Sequence, residues 1–279
     1  MLRLYIKKIN YSLFFKVMKW HLNYYLFKKG YPLHVGVYIT QRCNLCCFMC
    51  NIWKIKDPVT YPWVYQKKMV DALADIGCVY YSISGGEPTL VEDLLYRLDY
   101  ICKKIDYVHL VTNGINIDKN FCKEINKSGL SEISISLDGS KEYHDFLRRK
   151  DGAFEKAYNA IELILTYAPK VTIVINSLLS FYNLEGLKKL KTYLIKLPKV
   201  YIKYLPFSEH KLFNNAGNNI FLNRDIDISE MDSFLDEIIN NPRIVNSRVF
   251  YIKQNYILEG CKIYFRNRNF VYTLIFLYR

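Results

Sequence analysis

Short apolar runs and amphipathic stretches take turns along this chain from residue 33 to about residue 240. The apolar runs at 33–40, 78–84, 107–112, 132–137, 171–177 and 200–206 are rich in Val, Ile and Tyr and have strand length. Between and after them, 63–76, 91–104, 118–128, 152–167, 183–196 and 228–240 carry apolar residues at helical spacing. Asp118 stands where a helix N-cap belongs, and Gly77 and Gly129 where helices end. Neither a low-complexity segment nor a repeat beyond the strand–helix unit is evident.

Strand–helix alternation repeated six times predicts an α/β fold with a parallel sheet. Short connections and right-handed crossovers curl such a sheet into a partial (β/α)6, TIM-like barrel. The expected organisation is an N-terminal arm at 1–30, a core barrel at 31–210, and a C-terminal helix and tail at 211–279. Chemistry in barrels of this kind collects where the strands end. The polar motifs fall there: a cysteine-rich loop after the first strand, Ser82-Ile-Ser-Gly-Gly-Glu-Pro88 after the second, Thr112-Asn-Gly114 after the third, Ser134-Ile-Ser-Leu-Asp-Gly139 after the fourth, and Asn176-Ser177 closing the fifth.

Composition sets the class. With 279 residues, 51% apolar and 23% charged, the chain suits one large folded domain. Its net charge of +13 is carried by the two ends. Of 39 Lys and Arg, ten precede Asp57, the first acid, and four follow Gly260; the 25 between face all 26 acids. A neutral body with basic ends speaks against a dedicated nucleic-acid-binding protein. Residues 1–29 interleave aromatic and aliphatic residues with seven Lys or Arg, and their lysines interrupt any spanning segment or signal-peptide core. The arm reads as a helix packed on the barrel with its basic face in water. An interfacial helix resting on anionic lipid, a peripheral membrane contact, is the alternative.

Eight cysteines are too few and too clustered for a secreted disulfide framework, so metal ligation in a reducing cytoplasm is the better reading. Cys43, Cys46, Cys47 and Cys50 fall within eight residues. Three thiolates from one loop can hold three irons of a cubane and leave the fourth open for chemistry. The spacing admits two registers, Cys43/Cys47/Cys50 and Cys43/Cys46/Cys50. The Gly85-Gly86 pair lets a ligand approach the main chain. Glu87, an acceptor when ionised, suits an ammonium. His109 and His144 lack metal-ligand spacing with the cysteines and read as structural; Cys78, Cys102 and Cys122 read as buried small hydrophobes.

Cys43-x3-Cys47-x2-Cys50, Gly-Gly-Glu-Pro at 85–88, Thr-Asn-Gly at 112–114 and Ser-Leu-Asp-Gly at 136–139 together resemble the radical S-adenosylmethionine superfamily. The stretch Lys141 to Arg148, followed by Gly152-Ala-Phe154, is similar to its branch of peptide-modifying maturases and the molybdenum-cofactor cyclase. The likeness covers roughly residues 33–206 and implies that Cys43, Cys47 and Cys50 bind a [4Fe–4S] cluster, because family loops place the longer gap first. It also implies that S-adenosylmethionine chelates the unique iron, with Gly85, Gly86 and Glu87 at its ammonium and Pro88 in the same turn. Ser136 and Arg148 match positions on the ribose and carboxylate side, and Asn113 lines the site. The implied reaction is reductive cleavage to a 5′-deoxyadenosyl radical that abstracts hydrogen, fed by a flavodoxin- or ferredoxin-like one-electron reductant.

Two features depart from that pattern. Met49 stands where an aromatic residue is usual, and Gly260-Cys261 resembles the start of an auxiliary-cluster extension with no further cysteine. The second is what a truncated homologue without activity would display. A non-catalytic iron–sulfur protein would also explain the cysteines, though not the Gly-Gly-Glu-Pro turn. No motif specifies the substrate.

Overall fold

A computed structural model describes residues 11–27, 30–194, 196–207, 215, 228–239 and 273–276. Helix α1 (Tyr11–Phe27) precedes strand β1 (His34–Tyr38). The alternation then runs α2 (Trp63–Ile76), β2 (Tyr80–Ser84), α3 (Leu94–Lys104), β3 (Tyr107–Thr112), α4 (Lys119–Ser128) and β4 (Glu132–Ser136). Two helices follow β4, α5 (Lys141–Arg148) and α6 (Ala153–Tyr167). The described chain closes with β5 (Thr172–Leu179), α7 (Leu184–Leu194), β6 (Val200–Pro206), α8 (Ile228–Ile239) and β7 (Thr273–Phe276).

The six expected strands lie side by side in sequence order, all parallel, and β7 adds a seventh beside β1 that the periodicity did not predict. Sequential parallel neighbours joined by right-handed crossovers put every connecting helix on one face, so the other face becomes a lumen. Charge reports the curl. The β6 ammonium of Lys203 helps hold the β1 imidazole of His34 neutral. On a flat sheet those strands would stand about 24 Å apart, five spacings of roughly 4.8 Å.

The core lies between the outer face of the sheet and the helices. Leu98 and Ile101 of α3, Ile125 of α4 and Ile161 and Ile164 of α6 are fully buried against Ile83, Leu110, Ile133 and Ile173. Each contributes about 1.5–3 kcal/mol by leaving water. Helix ends follow the local signals: Asp118 Oδ1 accepts the Phe121 N–H at 2.7 Å, and Gly77 and Gly129 close α2 and α4 in the left-handed conformation.

The arm corrects one expectation. Val17 of α1 packs on Val79, Tyr80 and Tyr107 at the strand starts, Trp20 Nε1 donates to Tyr31 O at 2.8 Å, and Lys16 pairs with Asp106 at 2.6 Å. The helix thus caps the end of the barrel opposite the strand C-termini. Most of its apolar surface nevertheless faces solvent: Phe14, Phe15, Met18, Leu22, Tyr25, Leu26 and Phe27 are all exposed. Packing uses the smaller Val17–Trp20 sector because that is where β2 and β3 offer a partner. The 211–227 loop (apart from Asn215) and Cys261 lie outside the described residues.

Candidate functional site

The cysteine loop leaves β1 through Thr40, which forms an antiparallel bridge with Thr60; their hydroxyls meet at 2.9 Å and close the loop's base. Within it, Cys47 is buried, Cys43 and Cys50 are half-buried, and Cys46 is exposed. Burial pushes the Cys43 thiol up to about 11, with Cys47, Glu87 and Cys50 close enough to add to the shift. Burial likewise raises Cys47 and Cys50, and Cys47 acts on Cys50. Cys43, Cys47 and Cys50 therefore share one electrostatic neighbourhood.

Two of the three sulfurs already meet backbone donors. The Leu45 N–H points at Cys43 and the Ile52 N–H at Cys50, and both favour the thiolate. Thiols held half-ready for ionisation, yet opposed by burial, are a donor set that a cationic cluster completes. Among the described residues no three His, Cys, Asp or Glu side chains converge on one metal ion. Ligands of a cubane bind separate irons and need no common point.

Helix α5, which the periodicity did not mark, clamps this loop. Phe48 N–H donates to Leu147 O at 2.9 Å, and the Phe48 ring stacks on Phe146 with centroids 4.8 Å apart. Arg149 lies over both Phe48 and Trp53. Arg148, on the same helix, sends Nε to Asp138 Oδ2 at 2.7 Å and brings Nη1 to 3.8 Å from Cys47 Sγ. Burial works against the Arg148 charge, but Asp138 and Cys47 outweigh it and raise the guanidinium's pKa. Met49 packs beside Leu147 and Phe207, and its carbonyl accepts from Asn215 Nδ2 at 2.9 Å.

Asp138 is the residue the sequence reading quoted without giving it a role. It is buried, accepts the Leu178 N–H through Oδ1 at 2.8 Å as well as Arg148, and its own N–H donates to His144 Nδ1 at 3.1 Å. Accepting at Nδ1 leaves the His144 proton on Nε2. Burial holds that imidazole neutral, with its pKa down at about 3. One carboxylate thus ties β4, β5 and α5 together behind the cysteines.

The Gly85-Gly86-Glu87 turn meets the loop from β2. A Cβ on Gly85 would lie 2.5 Å from Thr40 O, and one on Gly86 2.2 Å from Arg42 O. The glycines therefore admit the chain's own backbone: Gly86 N–H donates to Thr40 O and Glu87 N–H to Arg42 O. The turn's amides are spent on the loop, and its carbonyls are the groups it can turn to an ammonium. Glu87 itself is buried. Its Oε1 accepts from the Thr89 N–H and from the hydroxyls of Thr89 and Thr112, and Oε2 from the Asn113 N–H at 2.8 Å. Burial pushes this carboxyl up against those four bonds. Pro88, also buried, starts the 3-10 turn Pro88–Leu90. Asn113 donates from Nδ2 to Asn44 Oδ1 at 2.7 Å, so its side chain too braces the cysteine loop.

The remaining sequence candidate, Ser136, ends β4 beside Asn176 of β5 and, one strand further, Lys203 of β6. Asn176 Oδ1 is buried without a hydrogen-bond partner. A buried acceptor with no donor costs about 1–3 kcal/mol, which a ligand bearing hydroxyls would recover. Deeper in the lumen His109 meets the hydroxyls of Tyr80, Ser82 and Ser134, and burial, aided by Lys203, drives its pKa down to about 3. Nothing lies within 4 Å of a Cβ placed on Gly36 of β1, so the lumen has room there. Lys203 was legible as the charge that interrupts Val200-Tyr-Ile-Lys-Tyr-Leu, yet only the curled sheet brings it to β1 and β3.

A family model described as Radical SAM superfamily matches residues 37–193. Fe-coproporphyrin III synthase of Methanosarcina barkeri is 28% identical over 214 residues, 76% of this chain and 52% of that protein. The antilisterial bacteriocin subtilosin biosynthesis protein AlbA of Bacillus subtilis is 34% identical over 137 residues, 48% of this chain and 30% of that one. The chain thus spans about half the length of the first and less of the second. Among solved structures, anSMEcpe with bound AdoMet superposes with a TM-score of 0.64 at 23% identity, over 82% of this chain and 67% of that one, a likeness of fold.

Proposed function

The chain belongs to the radical SAM superfamily, whose cofactors are a [4Fe–4S] cluster and S-adenosylmethionine, and on that premise we propose that it is a hydrogen-abstracting enzyme acting on a substrate admitted to the barrel lumen. When bound, those cofactors supply a one-electron cleavage that yields a 5′-deoxyadenosyl radical. The rest of the work falls to the protein's own side chains, which bind, orient and exclude water.

Cys43, Cys47 and Cys50 would hold the cluster and leave one iron open. The observation that carries the reading is their shared neighbourhood, with Cys46 turned out to solvent. Arg148 orients Cys47 and offsets its charge, while Asp138 holds Arg148. The carbonyls of the Gly85-Gly86 turn would meet the methionine ammonium. Glu87 would act there through Oε2, since Oε1 already accepts three hydrogen bonds. Ser136 and the unpartnered Asn176 Oδ1 suit ribose hydroxyls. Asn113 and Pro88 keep this wall in place.

The substrate side of the lumen carries Lys203, whose charge reaches His34 and His109. A substrate bearing a carboxylate suits that charge. The reductant is a small one-electron carrier of the flavodoxin or ferredoxin kind, and thiols that must stay reduced favour the cytoplasm.

Anaerobic reconstitution with iron and sulfide, followed by dithionite and S-adenosylmethionine, tests the reading. Cys43→Ala, Cys47→Ala and Cys50→Ala should each lose the iron, Cys46→Ala should keep it, and the wild type should release 5′-deoxyadenosine. Equal iron loss in the Cys46 and Cys47 variants would overturn the ligand assignment. A loaded cluster that releases no 5′-deoxyadenosine would favour a non-catalytic iron–sulfur protein.

A further inference from the structure

Helix α1 carries two different apolar sectors. At about 100° per residue, Val17, Trp20 and Tyr24 project to one side, and Val17 and Trp20 make the contacts with the barrel floor. Phe14, Phe15, Met18, Leu22, Tyr25 and Leu26 fill a separate arc of roughly 120°. They are 41% to 68% exposed, and Phe27 at the helix end is 63% exposed. Six large side chains, each about half uncovered, make a patch at or above the few hundred Å² that a monomer ordinarily leaves bare.

The charge around this patch selects its partner. Lys19 borders the arc, and Lys16 lies beyond it, paired with Asp106. Arg3, Lys7 and Lys8 precede the helix in sequence and Lys28 and Lys29 follow it, with no acid anywhere before Asp57. Aromatic and aliphatic residues flanked by uncompensated cations complement a bilayer surface containing anionic lipid. No described helix is long and apolar enough to cross a membrane.

We infer that α1 docks the protein on the surface of a bilayer containing anionic lipid, its Phe14–Leu26 arc entering the headgroup boundary. Because α1 covers the strand starts, the cysteine loop and lumen mouth face away from the lipid. The docked enzyme stays open to a substrate and a reductant arriving from water.

The test is co-sedimentation of the full chain with vesicles of phosphatidylcholine, alone or mixed with phosphatidylglycerol. Wild-type protein should bind the mixed vesicles at least tenfold more tightly than phosphatidylcholine alone, and high salt should weaken that binding. Phe14→Ser/Leu22→Ser/Leu26→Ser should abolish sedimentation while leaving the thermal melt in place, since all three side chains face solvent. Failure to bind, equal binding to both vesicles, or binding retained by the triple variant would overturn the proposal. So would a dimer that the triple variant dissolves and that ignores vesicles, for then a second copy is the occupant. None of these readouts needs a cluster, so they stand apart from the enzymatic reading.

Discussion

Replacing Asp138 by Asn keeps the size of the side chain and removes its charge from beside Arg148. The two charge centres lie roughly 4 Å apart, which at an effective dielectric of about 20 is worth about 4 kcal/mol. Asp138 is 1% exposed and Arg148 14%, so little solvent enters between them. Breaking a buried pair by removing one partner costs about 3–5 kcal/mol, because the other charge is left unpaired. Since part of Arg148 reaches water, the lower end applies, and Asp138→Asn should destabilise by about 3 kcal/mol.

The double-mutant cycle isolates the pair. Arg148→Met should cost about as much, and Asp138→Asn/Arg148→Met little more than either single, a coupling of about 2 kcal/mol or more. Urea unfolding of the cluster-free, reduced protein, followed by tryptophan fluorescence, measures all four corners without metal release blurring the transition. Arg148→Met should also raise the Cys47 pKa further, since Arg148 favours that thiolate, and slow iron uptake at fixed pH. A single-variant cost below about 1 kcal/mol, or a cycle additive within about 0.5 kcal/mol, would refute the ion pair as the brace of the site.

Gly86→Ala drives a Cβ to 2.2 Å from Arg42 O and should cost about 3 kcal/mol or prevent folding, whereas Gly36→Ala, with nothing within 4 Å, should stay within about 0.5 kcal/mol; the reverse order in urea melts would sink the packing argument. His109 and His144 keep folded pKa values of about 3, below the ordinary imidazole value of about 6.5. Between those limits the unfolded chain binds protons that the folded one refuses, so stability is full above about 6.5 and is lost as pH falls toward the folded values. Each histidine should remove about 1.4 kcal/mol between pH 7.5 and pH 5.5, and His144→Gln should halve that slope; a flat profile would mean the imidazoles are protonated in the fold. Lys203→Met should raise the pKa values of both His34 and His109 in histidine NMR titrations, and unmoved resonances would put Lys203 outside the lumen.

The sheet was legible because its strands are buried on both faces or nearly so, and such strands read as continuous apolar runs whatever surrounds them. Helix α5 was not. Its eight residues are too short for a period to stand out, and half of them are charged or His. Strand β7 lies far from β1 in sequence, so no local pattern announces their pairing. For α1 the periodicity could not say which of two apolar sectors faces the protein, since that depends on what β2 and β3 present. Glu87 shows the same limit at the site: its partner Thr112 is 25 residues away, and only the fold reveals that Oε1 is already engaged.

That limit changes what the motifs mean. Gly86 leaves room for Arg42 O, Glu87 N–H donates to Arg42 O, Asn113 bonds Asn44, Leu147 accepts from Phe48, and Arg148 meets Cys47. Each motif that the sequence places on a different strand end therefore touches one segment, residues 40–50. Three half-buried or buried thiols opposed by desolvation need their loop fixed before metal arrives, because a short loop cannot supply its own core. Substitutions in the Gly-Gly-Glu, Thr-Asn-Gly and Leu-Asp-Gly motifs should then first be felt as lost iron retention. Weaker S-adenosylmethionine binding follows from the loosened loop, not from a missing contact.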